Sequence, residues 1–254
     1  MQGNLEVSNL SLILSTLLLF IAFSIDFKEG IGLGKDILIA GVRAVAQLFL
    51  VGYVLSYVFK VDNDLLTLVM VMLVIFNASY NAHRSSEGIP NSFKVSLLSI
   101  GTGTVIALSI MYFSGVIKWT PTQMVPITGM VAANSMTAIN VVYRSLRTQF
   151  EDRRQQVLER LALGANPNQA SKSILKDSIQ TGMAPPIERT KTVGLVSLPG
   201  MMSGLIFSGI DPAQAIRYQI VVMFMLISVA AISSFIASYM AYRSFFNENA
   251  QLTI

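Results

Sequence analysis

Long apolar runs alternate with short polar breaks along most of this chain. An α-helix needs about 20 successive apolar residues to cross the hydrocarbon core of a bilayer. Seven stretches meet or approach that length: Val7–Ile25, Asp36–Phe59, Leu65–Ala82, Lys94–Ile117, Gln123–Tyr143, Val193–Ile210 and Ala213–Tyr242. They predict an all-α, polytopic membrane helix bundle of about seven transmembrane helices. The last two are separated only by Asp211-Pro212, a turn signal.

The pattern changes between the fifth and sixth stretches, where residues 144–192 are polar and charged. Tyr143, Leu146, Phe150, Val157 and Leu161 still recur at helical spacing there, so the fifth span is expected to continue as helix beyond the bilayer. Within Leu158–Leu175 a first helix is expected to stop at Gly164, the residue type that commonly follows a helix end. A second starts at once. Asn166 caps it, Pro167 suits its first position, and Gln169 stands where a capping box needs it. The expectation is one transmembrane domain over 1–254, with a helix-turn-helix excursion at 144–192.

Composition agrees with a membrane chain. Of 254 residues, 53% are hydrophobic and only 13% charged, with mean hydropathy +0.60. There is no cysteine, which excludes disulfides and thiolate metal sites, and the single histidine, His83, excludes a multi-histidine centre. The pI near 9.4 reads as cytoplasmic Lys and Arg rather than as nucleic-acid binding. With the N-terminus outside, only Lys60, Lys118 and Arg217 of the 18 basic residues lie near the outer face. That bias predicts N-terminus out, C-terminus in, and the excursion in the cytoplasm. The first residues carry no basic n-region, so the first apolar segment is expected to be a retained span.

Candidate chemistry is sparse. Gly30-Ile-Gly-Leu-Gly-Lys35-Asp36 resembles a phosphate-binding loop, but Glu29 stands where its first glycine belongs and Asp36 where Ser or Thr belongs. It reads as a cytoplasmic turn, and no ATP site is expected on this chain. Polar side chains inside spans tend to face the bundle interior or a water-filled path. Asn77 and Asn81 read as glue between helices, Arg43 as snorkelling to the cytoplasmic face, and Asn134 as either path or glue. In the sixth span, Pro199 and Gly200 are expected to break or bend the helix, and Gly200, Gly204 and Ser208 form a small stripe suited to close helix contact, as at a dimer axis. Met130, Met136, Met201 and Met202 fit adaptable packing in moving helices better than a soft-metal site. Among acidic residues near the membrane, Asp26, Glu29, Glu87, Asp177 and Glu188, the last reads as a salt-bridged residue at the cytoplasmic entrance of span six, beside Arg189 and Lys191. No catalytic constellation is present, and no metal ligand set stands out.

Ala162-Leu163-Gly164-Ala165-Asn166-Pro167-Asn168-Gln169-Ala170, with Ile174 ten residues after Gly164, resembles the EAA loop of ABC importer permeases. It departs from that pattern at Glu159, one position late, and at Leu175-Lys176-Asp177, where Leu-Pro is usual. Thr192 to Ile206, then Gly209, Pro212, Ala215 and Arg217 to Val222, resembles the Fet-type iron-export ABC permease family. So does Pro126…Gly129-Met130…Asn134…Met136, although Ala133 replaces the family's usual glycine. That family includes plant permeases tied to aluminium tolerance. The resemblance implies a non-enzymatic transporter subunit in the cell membrane, working as a homodimer with a separate ABC ATPase that holds ATP and Mg. It implies iron, another metal ion, or an organic solute such as a nucleotide sugar as cargo. It also implies roles. Glu159, Leu163, Gly164, Ala165, Asn166, Pro167 and Gln169 would couple to the ATPase. Met130, Asn134, Met136, Pro199, Gly200, Met201, Met202 and Gly204 would line or gate the path. A self-sufficient carrier or channel is the alternative, and it would need coupling charges within the spans.

Overall fold

The computed structural model describes residues 8–86 and 88–253. Val7 and Glu87, named above, lie outside the described residues. Among these, regular structure is helical: α1 (Asn9–Glu29), α2 (Gly34–Val61), α3 (Asp64–Arg84), α4 (Ser92–Phe113), α5 (Pro121–Asp152), α6 (Arg154–Ala162), α7 (Pro167–Thr192), α8 (Gly200–Phe207) and α9 (Pro212–Ala241), then a 3-10 turn at Tyr242–Phe245. Six of them (α1 to α5, and α9 with its 3-10 extension) are long and apolar enough to cross a membrane.

The chain divides into two compact units, Met1–Asp62 and Asn63–Ile254. In the first, α1 and α2 form an antiparallel hairpin. Its turn is the glycine-rich stretch. Gly30 caps α1 at φ 63, and Gly32 takes φ 85, both in the left-handed region that glycine enters without strain. The Asp26 carboxylate accepts the Leu33 N–H at 2.7 Å and ties the turn shut. The stretch is thus a closed helix-to-helix turn, as its failed phosphate-loop pattern implied.

The second unit is organised around α5, which packs against α3, α4, α7 and α9. Val131, Ile139, Val142, Leu146 and Phe150 recur at helical spacing on α5 and are fully buried. Small residues let the helices close up. A Cβ at Gly103 on α4 would stand 3.0 Å from the Ser233 hydroxyl of α9. One at Gly182 on α7 would stand 2.5 Å from Val142 and 3.2 Å from the Ala138 carbonyl of α5. Such close seams are how helices gain packing where lipid offers no hydrophobic driving force.

Two ends of this unit can be told apart. At one end lie the α3–α4 loop, the end of α5, the α6–α7 turn and the C-terminal tail. The Tyr143 hydroxyl reaches the Ser92 carbonyl at 3.3 Å and Ser96 at 2.9 Å, and Phe245 stacks on Phe150 at 4.4 Å. This end carries Arg84, Arg144, Arg147, Arg153, Arg154, Arg160, Lys172, Lys176 and Arg243. At the other end lie Lys118, the starts of α5 and α9, and Arg217.

Two expectations need correction. Val193–Ile210 is not one apolar helix. Gly194 takes φ 84, Val193 and Ser197 bridge across a compact turn, and Pro199 stands as N-cap of an eight-residue α8. Proline supplies no N–H and glycine tolerates the left-handed bend, so the helix breaks there outright instead of kinking. Among the described residues, Asn77 and Asn81 bond within α3 and not between helices. The Asn81 amide donates to the Asn77 carbonyl and side-chain oxygen, both at 2.8 Å and within α3.

Candidate functional site

The α6–α7 turn is the most completely specified local structure in the chain. The Ala165 N–H donates to the Arg160 carbonyl and the Gly164 N–H to the Leu161 carbonyl, each at 3.0 Å. With Gly164 at φ 90 this is the Schellman pattern, which satisfies carbonyls that a helix end leaves open. The next helix begins immediately. The Asn166 side chain accepts the Gln169 N–H at 2.9 Å, and the Gln169 side chain accepts the Asn166 N–H at 3.1 Å. Pro167 occupies the first helical position. The helix stop, cap and capping box expected from the sequence are therefore all present.

The turn is anchored by residues that sequence reasoning passed over. The Arg160 guanidinium donates to the Ala170 carbonyl at 3.1 Å and Ser173 at 3.2 Å, locking α6 onto α7. Arg153, at the α5–α6 break, pairs with Asp177 of α7 at 2.8 Å. Val157, Ala170, Ile174 and Leu175 are buried beneath, in the same core as Phe150. No local pattern singled out the two arginines, which stand among other charged and polar residues at 151–160. At the tip, Leu163 is 88% exposed, a large apolar side chain held on a rigid support. Glu159 is exposed, on the outer face of α6, and receives Gln155 at 3.2 Å. A groove of about 380 Å³ beside the turn is lined by Asn166, Pro167 and Asn168 on one side and Arg243, Phe246 and Glu248 of the tail on the other.

The residues expected along a path are only partly brought together. Met130, Met136 and Met201 lie half-buried against the core, and Met202 is buried. The Asn134 amide donates to the Leu226 carbonyl of α9 at 2.9 Å, a bond between helices. A cavity of about 390 Å³ at the α5-start end joins Met201 and Leu205 of α8 to Gln123, Pro126 and Ile127 of α5 and Gln214 and Tyr218 of α9. Pro199 lies half-buried at the start of α8. Gly200 and Gly204 meet no atom within 4 Å of where a Cβ would stand, so the small stripe packs against nothing in the described chain. Among the described residues, no group of three or more His, Asp or Glu side chains is arranged to hold a metal ion.

Glu188, Arg189 and Lys191, expected at the cytoplasmic entrance of the sixth span, lie on the far half of α7, past its contact with α5 at Gly182 and just before the turn at 193–199. Glu188 and Lys191 pair at 2.8 Å.

Comparison with known proteins places these features in a family. The family described as "Uncharacterised protein family (UPF0014)" matches residues 9–246. A protein of Escherichia coli K12 named "Probable iron export permease protein FetB" is 47% identical, over 98% of this chain and 96% of that protein. The rice "UPF0014 membrane protein STAR2" is 33% identical over 97% of this chain and 86% of its own length. "Protein ALUMINUM SENSITIVE 3" of Arabidopsis thaliana is 33% identical, over 91% and 85%. No solved structure matches this chain.

Proposed function

This chain belongs to the UPF0014 family of multi-pass membrane proteins, and from that premise we propose that it is the membrane-spanning permease subunit of an ABC transporter. It moves iron or another small solute, outward, and draws its energy from ATP hydrolysed on a separate nucleotide-binding subunit. The observation that carries this reading is the α6–α7 turn. Both its helix ends are capped, it is bolted to the core by Arg153 and Arg160, and it holds Leu163 out into solvent. A rigid projection with an apolar tip suits docking against a partner, because little conformational freedom is lost on binding.

Force applied to Leu163 passes through α6 and α7 into α5 by way of Val157, the Arg153–Asp177 pair and the Gly182 seam. The far half of α7, the turn at 193–199 and α8 complete a seventh crossing as a discontinuous helix. Such breaks are tolerated where protein or a water-filled cavity covers the freed backbone. The tail lies beside the coupling turn, and with an odd count and the N-terminus outside both would be cytoplasmic. The shared basic end of α3–α9 supports that orientation. The exposed glycines of α8 fit a second copy of the chain across a central axis.

The cargo assignment leans on the name of the Escherichia coli relative. Cells that lose the gene are expected to accumulate iron, measured by elemental analysis, and to recover when it is restored. Unchanged iron would move the reading to an organic solute and leave the ABC coupling to stand on its own test.

A further inference from the structure

We propose that the far half of α7 lines a water-filled, electropositive vestibule inside the bilayer, in which the Arg189 guanidinium attracts carboxylate- or phosphate-bearing solutes or an anionic metal complex. This rests on the reading of the chain as a membrane-crossing permease and adds the charge class of its cargo.

Depth comes from two fixed points on α5. Asp177 pairs with Arg153, Ser178 receives Gln149 and Gly182 meets Val142 and Ala138, so α7 runs antiparallel to α5. From Ala138 back to Pro121, α5 extends about 25 Å at 1.5 Å per residue. Arg189 lies seven residues beyond Gly182, about 10 Å along α7. The chain then makes a compact turn, closed by the Val193–Ser197 bridge, and reaches Met201 beside Pro126 and Ile127. Arg189 is thus bracketed between the Ala138 and Pro126 levels of an apolar helix.

A charge at that depth is costly against lipid and is kept where water or a partner solvates it. Every residue of α7 after Pro186 is at least partly exposed, and Glu188 and Lys191 keep about two thirds of their side-chain surface. Pro185 and Pro186 supply no N–H, so the carbonyls of Thr181 and Gly182 lose their helical donors, a further demand for water. Glu188 and Lys191 neutralise each other at 2.8 Å. Arg189 makes no ion pair among the described residues, which leaves one net positive charge facing the open space. The Thr190 and Thr192 hydroxyls turn back onto backbone carbonyls and offset none of it.

The chain has no cysteine, so single cysteines report without background. Thr192→Cys tests the vestibule, with Leu195→Cys as a second position should the first fail to fold. Asn168→Cys gives the water-exposed surface reference, and Val105→Cys the apolar-face reference. Each full-length protein is reconstituted in liposomes and treated with a small sulfonate methanethiosulfonate, its trimethylammonium counterpart, or a bulky polyethylene-glycol maleimide. Thr192→Cys is expected to react with both small reagents and to resist the bulky one. Its anionic-to-cationic rate ratio should exceed that of Asn168→Cys about fivefold, the combined effect on two oppositely charged reagents of one unit charge about 8 Å away in water. Adding Arg189→Gln should return the ratio to the surface value. Bulky labelling as fast as at Asn168→Cys would put α7 outside the bilayer. Failure of the small reagents, as at Val105→Cys, would remove the water, and a ratio indifferent to Arg189→Gln would remove the anion preference. None of these readouts involves ATP or transport, so they fail independently of the permease reading.

Discussion

Gly182 has no space for even a methyl group, because the Ala138 carbonyl and Val142 already occupy it. Backbone cannot move aside as a side-chain end can, so Gly182→Ala is expected to push α7 off α5 and destabilise the protein by about 1–3 kcal/mol, the usual cost of overpacking. A fall in the thermal midpoint of the purified protein checks this, with Gly52→Ala as the comparison that does not lower it, since that position is open. Asn166 works differently. Its side chain satisfies the Gln169 N–H at the start of α7, and Asn166→Ala is expected to cost about 0.5–2 kcal/mol by the same measurement.

At the scale of elements, the coupling turn depends on how α6 and α7 are fastened. The Arg153–Asp177 pair is about 39% exposed on both sides, so water screens it and its own strength is expected to be about 0.2–1 kcal/mol in a double-mutant cycle. Arg160 does more, because it bridges a backbone carbonyl and a hydroxyl across the two helices. Arg160→Met keeps the apolar stem and removes those bonds. Hydrogen exchange of α6 amides should then quicken, while α5 amides stay protected. The capped turn was legible in the sequence because Gly164, Asn166, Pro167 and Gln169 act on backbone groups within a few residues. The fastening was not. Arg160 reaches ten residues ahead to Ala170, and Gly182 finds Ala138 from forty-four residues away, contacts that no local pattern encodes. The Gly182 and Pro186 face of α7, which packs inward, was hidden among polar residues that dilute its apolar signal. The break at Pro199 was visible as Pro-Gly, but its extent was not, since the compact turn before it depends on Gly194 and the Val193–Ser197 bridge.

At the scale of the molecule, the second unit is a machine with two ends. One end gathers the basic residues, the α6–α7 turn and the C-terminal tail, and the other holds α8 against the starts of α5 and α9. α5 and α7 join the two ends through one continuous buried core. On the proposed permease reading, a push on Leu163 would travel along α7 toward α8 through packed side chains, as coupling between an ATPase and a path requires. The most direct measurement is ATP hydrolysis by the nucleotide-binding subunit, co-purified with this chain in liposomes, for the unaltered protein and for Leu163→Asp. Leu163 touches solvent and not the core, so the variant is expected to keep its thermal midpoint and its two-ended fold. The account predicts that it loses co-purification and stimulated hydrolysis at least about tenfold, as burying an unpaired charge at a docking tip demands. Full stimulation by Leu163→Asp would contradict it.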